Sequence, residues 1–170
     1  MAVSEGARIH ADHLDEIRDL LKISEELGKR VDIAIRINMD TGIYPSWSRF
    51  GFNLESGHAL EAARRVAHSG GKLALVGVHS HIGTFMMDPA AYKRAAKKLA
   101  DFYKKVRDEL RQPMQYIDIG GGFVSASKLK STYFSGSSLL PSFDQYAEAI
   151  CSSLYDSFSP EEPPPLFSES

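Results

Sequence analysis

The chain reads as an α/β protein built on a parallel sheet. Short apolar segments rich in Val and Ile alternate with longer stretches whose apolar residues recur at helical spacing. The order is β-α-β-α-β-α-β-α-β, and strict alternation of this kind places helices outside parallel strands. Polar or ionisable residues also stand just after four of the five strands, where both common parallel-sheet architectures bind ligands. Five strands suit either an open doubly wound sheet or five-eighths of a (β/α)8 barrel, which takes about 250 residues when complete.

Each element has a local cause. Residues 7–10 read as a first strand, and Asp12 as the N-cap of a helix carrying Leu14, Ile17, Leu20, Leu21, Ile23 and Leu27. Gly28 then ends it. Val31 to Asn38 is the second strand, and residues 39–55, with Gly42, Pro45 and Gly51, a loop. A helix over 56–68 buries Leu60, Ala63, Val66 and Ala67 before Ser69-Gly70-Gly71. Leu73 to His81 is the third strand; side-chain alternation puts Leu73, Leu75, Gly77, His79 and His81 on one face. Asp88 caps a helix with Pro89 in its first turn and an inner stripe of Tyr92, Ala95, Leu99, Phe102, Val106 and Leu110. Met114 to Ile119 is the fourth strand, running into Gly120-Gly121-Gly122. A Ser-rich loop over 124–141 precedes a last helix, opened by a Ser142/Gln145 capping box. The apolar pair Leu166-Phe167 follows Pro163-Pro164-Pro165 as a fifth strand.

Composition excludes several classes of function. The 170 residues are 43% hydrophobic and 25% charged, with net charge −2, an ordinary globular balance. No global basic excess calls for nucleic acid or an anionic membrane. The apolar runs are far shorter than the roughly 20 residues of a spanning helix. The first residues carry no apolar leader core, and a single cysteine, Cys151, forms no internal disulfide, so the expected location is the cytoplasm. Cys151 reads as a small buried hydrophobe on the last helix. The basic face of the helix over 89–111, Lys93 to Arg111, has no interleaved aromatics and reads as solvated surface rather than a nucleic-acid stripe.

The strand ends carry the candidate chemistry. A glycine run after a buried strand is either a flexible turn or a backbone cradle for an anion. Neither a G-x-G-x-x-G nor a Walker A pattern is present, so a dinucleotide fold is unsupported. His79 and His81 read three ways: hydrogen-bonded core residues, a metal pair, or a flat platform for a planar ligand. No matching His or Cys cluster completes a metal site in the sequence, so no metal is expected. Arg36, sharing a face with Asn38, is either in a surface ion pair or, if buried, beside an anion.

Taken together, these motifs resemble the fold-type III pyridoxal phosphate decarboxylases. Gly77-Val78-His79-Ser80-His81-Ile82-Gly83-Thr84 resembles their G-x-H-x-H-I-G-S segment, and Ile117 to Phe123 their D-I-G-G-G-F segment. Arg36-Ile37-Asn38 followed by Ser48-Arg49-Phe50-Gly51 resembles R-V-N followed by S-K-F-G. Ser168-Glu169-Ser170 resembles the start of E-P-G-R, cut short. The doubled histidine is most similar to the diaminopimelate decarboxylase branch, beside the ornithine and arginine branches. The resemblance runs from about residue 7 to residue 170 and implies the later part of a (β/α)8 barrel, TIM-like and alanine-racemase-like, with pyridoxal 5'-phosphate as cofactor.

On that resemblance, His81 stacks on the cofactor ring and Thr84 and the backbone of Gly120, Gly121 and Gly122 hold its phosphate. Glu169 pairs with the ring nitrogen, and Arg36 lines the barrel beside it. The family's cofactor-anchoring lysine lies on a strand upstream of anything here, and its β-barrel domain follows E-P-G-R. Residues 1–170 are thus expected to be a partial barrel domain without the N-terminal strands and the C-terminal β-domain. They hold no catalytic residue and by themselves are expected to turn over no amino acid. The parent is expected to be a homodimeric carboxy-lyase acting on diaminopimelate or a related basic amino acid. Two other parents remain open: a non-catalytic partner-binding relative, and an amino-acid racemase, which Asp40-Thr41-Gly42 followed by Arg49-Phe50-Gly51 resembles.

Overall fold

The computed structural model describes residues 2–43, 48–124 and 140–169. Its elements are β1 (Ile9–Ala11), α1 (Leu14–Leu27), β2 (Val31–Asn38), β3 (Phe52–Asn53), α2 (His58–Ala67), β4 (Leu73–His79), α3 (Pro89–Glu109), β5 (Tyr116–Asp118), α4 (Phe143–Phe158) and β6 (Leu166–Phe167). Strands β1, β2, β4, β5 and β6 lie side by side in chain order, every pairing parallel.

That order decides between the two architectures. A doubly wound sheet reverses its strand order at a switch point and carries helices on both faces. Here the order never reverses. The large core cluster joins one sheet face to all four helices, through Ile17, Ala63, Leu99 and Leu154 among others. The apolar cluster of the opposite face is Ala34, Ala74, Val76 and Tyr116, with Phe167 against them, and it contains no helix residue. A parallel sheet covered on one side and lined by its own side chains on the other is an arc of a (β/α) barrel.

Register sets the layers of the lined face. Ala34 pairs with His10 and with Gly77, and Gly77 with Tyr116, giving one row. One step toward the C-terminal ends, Arg36 pairs with His79, His79 with Asp118, and Asp118 with Phe167. In the lower row the middle strands contribute almost no side chain. His10 Nε2 therefore reaches the Tyr116 hydroxyl, 3.1 Å away, across Ala34 and Gly77.

Several local expectations are corrected. The cap of α1 is His13, not Asp12. His13 Nδ1 accepts from the Asp15 N–H and the Glu16 carboxylate reaches back to the His13 N–H, while the Asp12 carboxylate turns toward Arg36. The 39–55 segment contains β3, which pairs with the end of β2, and α2 starts at His58 after Gly57. Strand β4 ends at His79, and its alternation is broken by an extra residue, since Ile33 pairs with Leu75 but Ala34 with Gly77. Leu73 and Leu75 consequently face the helices, whereas Ala74, Val76, Gly77 and His79 face the barrel interior.

Cys151 is exposed rather than buried. The inner stripe of α4 is Tyr146, Ile150, Ser153, Leu154 and Phe158, and Cys151 lies one position round from it. The caps at Asp88 and Ser142 are as expected from the sequence. Much of the Ser-rich loop over 124–141 lies outside the described residues. No helix among the described residues is long and apolar enough to cross a membrane.

Candidate cofactor site at the C-terminal strand ends

The glycine run leaves the buried end of β5 and threads between three backbones. A Cβ on Gly120 would lie 2.7 Å from the Ser80 carbonyl oxygen, one on Gly121 2.7 Å from that of Glu169, and one on Gly122 1.9 Å from that of Gly83. Gly120 and Gly122 also have φ of +66° and +89°. All three positions therefore require glycine: the run is packed against the chain's own backbone, unlike a free turn.

What the cradle presents follows from what its groups have already spent. The Gly120 carbonyl accepts from the Glu169 N–H at 2.9 Å, that of Gly121 from the Tyr92 hydroxyl at 2.8 Å, and that of Gly122 from the Met86 N–H at 3.0 Å. The Gly120 N–H donates to Asp118 Oδ1 at 2.9 Å. Among the described residues, the N–H groups of Gly121 and Gly122 have no carbonyl or carboxylate acceptor; Gly121 makes only a long contact, 3.5 Å, to His81 Nδ1. With its carbonyls turned inward and two N–H groups left to offer, the run suits an anion.

The other candidate residues stand around it. His81 follows β4, half-buried, its Cβ against Gly120 and its Nδ1 facing the Gly121 N–H. Burial first, then the nearby Arg36 and His79, hold its imidazole below its ordinary pKa, which leaves a neutral ring able to lie against a planar partner. Thr84 packs its backbone over Gly122 and leaves its side chain exposed. Arg36 lies in the upper interior row, its Nε 3.8 Å from Asp12 Oδ1 and its guanidinium over Phe50. Glu169 is exposed, is pinned through its backbone to Gly120 and Gly121, and acts electrostatically on both His81 and His10.

Sequence reading missed His10 and Asp118. Register places them in the interior beside His79, and Asp118 orients the first glycine of the run. A separate cleft of about 500 Å3 lies at the end of β2 and is lined by none of the glycine run, His81 or Glu169. Its polar lining is self-paired, Asn53 to Asn38 at 2.9 Å and Glu55 to Lys98 at 2.6 Å. The basic face of α3 is likewise matched by carboxylates, as in Lys97–Asp101, Lys98–Glu55 and Arg107–Glu161.

The glycine run, the His81 imidazole and the Glu169 carboxylate stand together at one end of a parallel (β/α) barrel arc, an arrangement that suits a planar, phosphate-bearing cofactor. The chain belongs to the family described as pyridoxal-dependent decarboxylase, pyridoxal binding domain, whose sequence profile matches residues 1–170. The diaminopimelate decarboxylase of Archaeoglobus fulgidus is 32% identical over 132 residues, 72% of this chain and 30% of that protein. That of Corynebacterium efficiens is 39% identical over 75 residues, 44% of this chain and 16% of that protein. The crystal structure of the M. jannaschii diaminopimelate decarboxylase superposes with a TM-score of 0.76 at 25% identity, covering 94% of this chain and 36% of that one. The chain thus spans between about a sixth and just over a third of the length of these relatives. Pyridoxal phosphate is the cofactor the family implies, and two N–H groups without a carbonyl or carboxylate acceptor among the described residues, an imidazole ring and a carboxylate are a donor set that fits it.

Proposed function

We propose that residues 1–170 form the phosphate- and ring-holding side of the barrel in a pyridoxal-phosphate-dependent amino-acid decarboxylase whose substrate is diaminopimelate or a related basic amino acid. The observation that supports this reading above all others is the meeting of Gly120–Gly122, His81 and Glu169 at one rim. In it, the Gly121 and Gly122 N–H groups and the Thr84 hydroxyl bind the phosphate. The neutral His81 ring lies against the cofactor ring, and the Glu169 carboxylate holds a proton at the ring nitrogen. Arg36, anchored by Asp12, keeps positive charge beside the site. Bound there, the cofactor supplies an electron sink for cleavage of the carbon–carboxylate bond. The substrate class is carried over from the diaminopimelate decarboxylases the chain resembles, and a homodimeric parent is part of the same proposal.

Two experiments test it. Titrating the chain with pyridoxal phosphate should give saturable one-to-one binding, weakened about tenfold by His81→Ala and competed by inorganic phosphate. Binding that is absent, or indifferent to His81, refutes the cradle. Residues 1–170 spliced in place of the matching segment of the M. jannaschii enzyme should support carbon dioxide release from diaminopimelate. A folded, cofactor-loaded chimera that releases none refutes the decarboxylase reading. The 170-residue chain alone, offered cofactor with diaminopimelate, ornithine or arginine, should show no turnover above free cofactor.

A further inference from the structure

Below the rim, three side chains from three strands converge inside the arc: His10 of β1, His79 of β4 and Asp118 of β5. His79 Nδ1 lies 3.3 Å and His10 Nδ1 3.9 Å from the same oxygen, Asp118 Oδ2. One donor atom from each residue lies within 4.8 Å of the other two. His79 is only 7% exposed, and at 3.3 Å its Nδ1 makes no well-formed hydrogen bond to Asp118 or to any other described residue.

The far atoms of the other two residues are tied down. His10 Nε2 stands 3.1 Å from the Tyr116 hydroxyl, and Asp118 Oδ1 accepts the Gly120 N–H at 2.9 Å. Metal-ligating imidazoles and carboxylates are held in this way, the outer atom fixed by a hydrogen bond and the inner atom presented. We infer that His10 Nδ1, His79 Nδ1 and Asp118 Oδ2 form a binding site for a divalent transition-metal ion of the zinc class.

The donor set and spacing agree with that ion. Two imidazoles and one carboxylate suit zinc or cobalt, and three protein ligands leave a fourth position open. Bonds of about 2.0–2.1 Å in a tetrahedral site space the ligand atoms by roughly 3.3–3.4 Å. The Asp118–His79 pair already has this spacing, while His10 Nδ1, 3.9 Å from Asp118 Oδ2 and within 4.8 Å of the His79 donor, closes on the ion by a small side-chain rotation. The ion ties β1 to β4 and β5 across the interior and, through Asp118, braces the first glycine of the cradle above it. The inference does not rest on the cofactor reading, since it uses none of the residues assigned to phosphate or ring.

The test is a cobalt(II) titration of the chelator-treated chain without cofactor, followed in the visible and then competed with zinc. One equivalent should develop the intense ligand-field absorption of a four-coordinate site and lose it to zinc. His79→Gln should lower the affinity at least a hundredfold. Tyr116→Phe keeps all three ligands but frees the outer nitrogen of His10, and should lower it about tenfold. His58→Gln, on the exposed end of α2, should change nothing. An unmodified chain that develops no such absorption overturns the site, as does an absorption unchanged in His79→Gln, which marks surface binding only. If His79→Gln fails to fold by circular dichroism, the unmodified chain and Tyr116→Phe decide.

Discussion

Gly120 and Gly70 share a φ of +66° but differ in what surrounds them, so an alanine at each separates backbone strain from crowding. At Gly70 a Cβ meets nothing within 4 Å; at Gly120 it sits 2.7 Å from the Ser80 carbonyl oxygen, a backbone atom that cannot swing aside. Placing an L-residue in the left-handed region costs about 1–2 kcal/mol at either position. Forcing a methyl into a packed site adds about 1–3 kcal/mol. Gly70→Ala should therefore lose about 1–2 kcal/mol, and Gly120→Ala about 2–5. With a urea slope of about 2 kcal/mol/M, the midpoints should differ by roughly 0.5–1.5 M. Equilibrium urea unfolding followed by circular dichroism measures this. Midpoints that agree within experimental error would show that the run is not pressed against β4, and the cradle as described would be wrong.

Other outcomes follow from the same contacts. Tyr92→Phe strands the buried Gly121 carbonyl that its hydroxyl serves at 2.8 Å and should cost about 1–3 kcal/mol in the same assay; no loss would mean that this carbonyl finds another donor. Gly77→Ala drives a methyl to 2.4 Å from the Tyr116 ring and should destabilise by at least the about 1–3 kcal/mol of an overpacked core, with loss of the His10–Tyr116 contact visible by NMR. Burial pushes the phenols of Tyr92, Tyr103, Tyr116 and Tyr146 above their ordinary value of 10.0. Above pH 10 the unfolded chain loses those protons first, so the folded state binds more protons and stability falls as pH rises. Ultraviolet titration should show these four ionising only as the chain unfolds, and free ionisation near pH 10 would contradict their burial.

Local periodicity reached the helices because each inner stripe is a property of its own segment: Tyr92, Ala95, Leu99, Phe102 and Val106 are buried as their spacing requires. Strand faces were harder. The extra residue in β4 leaves no mark in the alternation of Leu73 to His79, because all seven residues are buried and no polar position reports the slip. The cap moved from Asp12 to His13 because Asp12 has a competing partner, Arg36, on a neighbouring strand. The glycines and His81 were legible as motifs, but the use of the carbonyls, which leaves the N–H groups to a ligand, depends on Tyr92, Met86 and Glu169 from elsewhere in the chain. The His10–His79–Asp118 cluster was invisible for the same reason: three residues 39 to 108 positions apart meet only through strand register.

The central claim is that the rim at Gly120–Gly122 takes the cofactor phosphate and that His81 and Glu169 take its ring. A crystal structure of the chain with pyridoxal phosphate tests this most directly. The phosphate should lie on the Gly121 and Gly122 N–H groups beside Thr84, with the ring against His81 and its nitrogen toward Glu169. Density for the cofactor in the cleft at Asn38 and Glu55, or on the surface lysines of α3 with the glycine rim empty, would contradict the account.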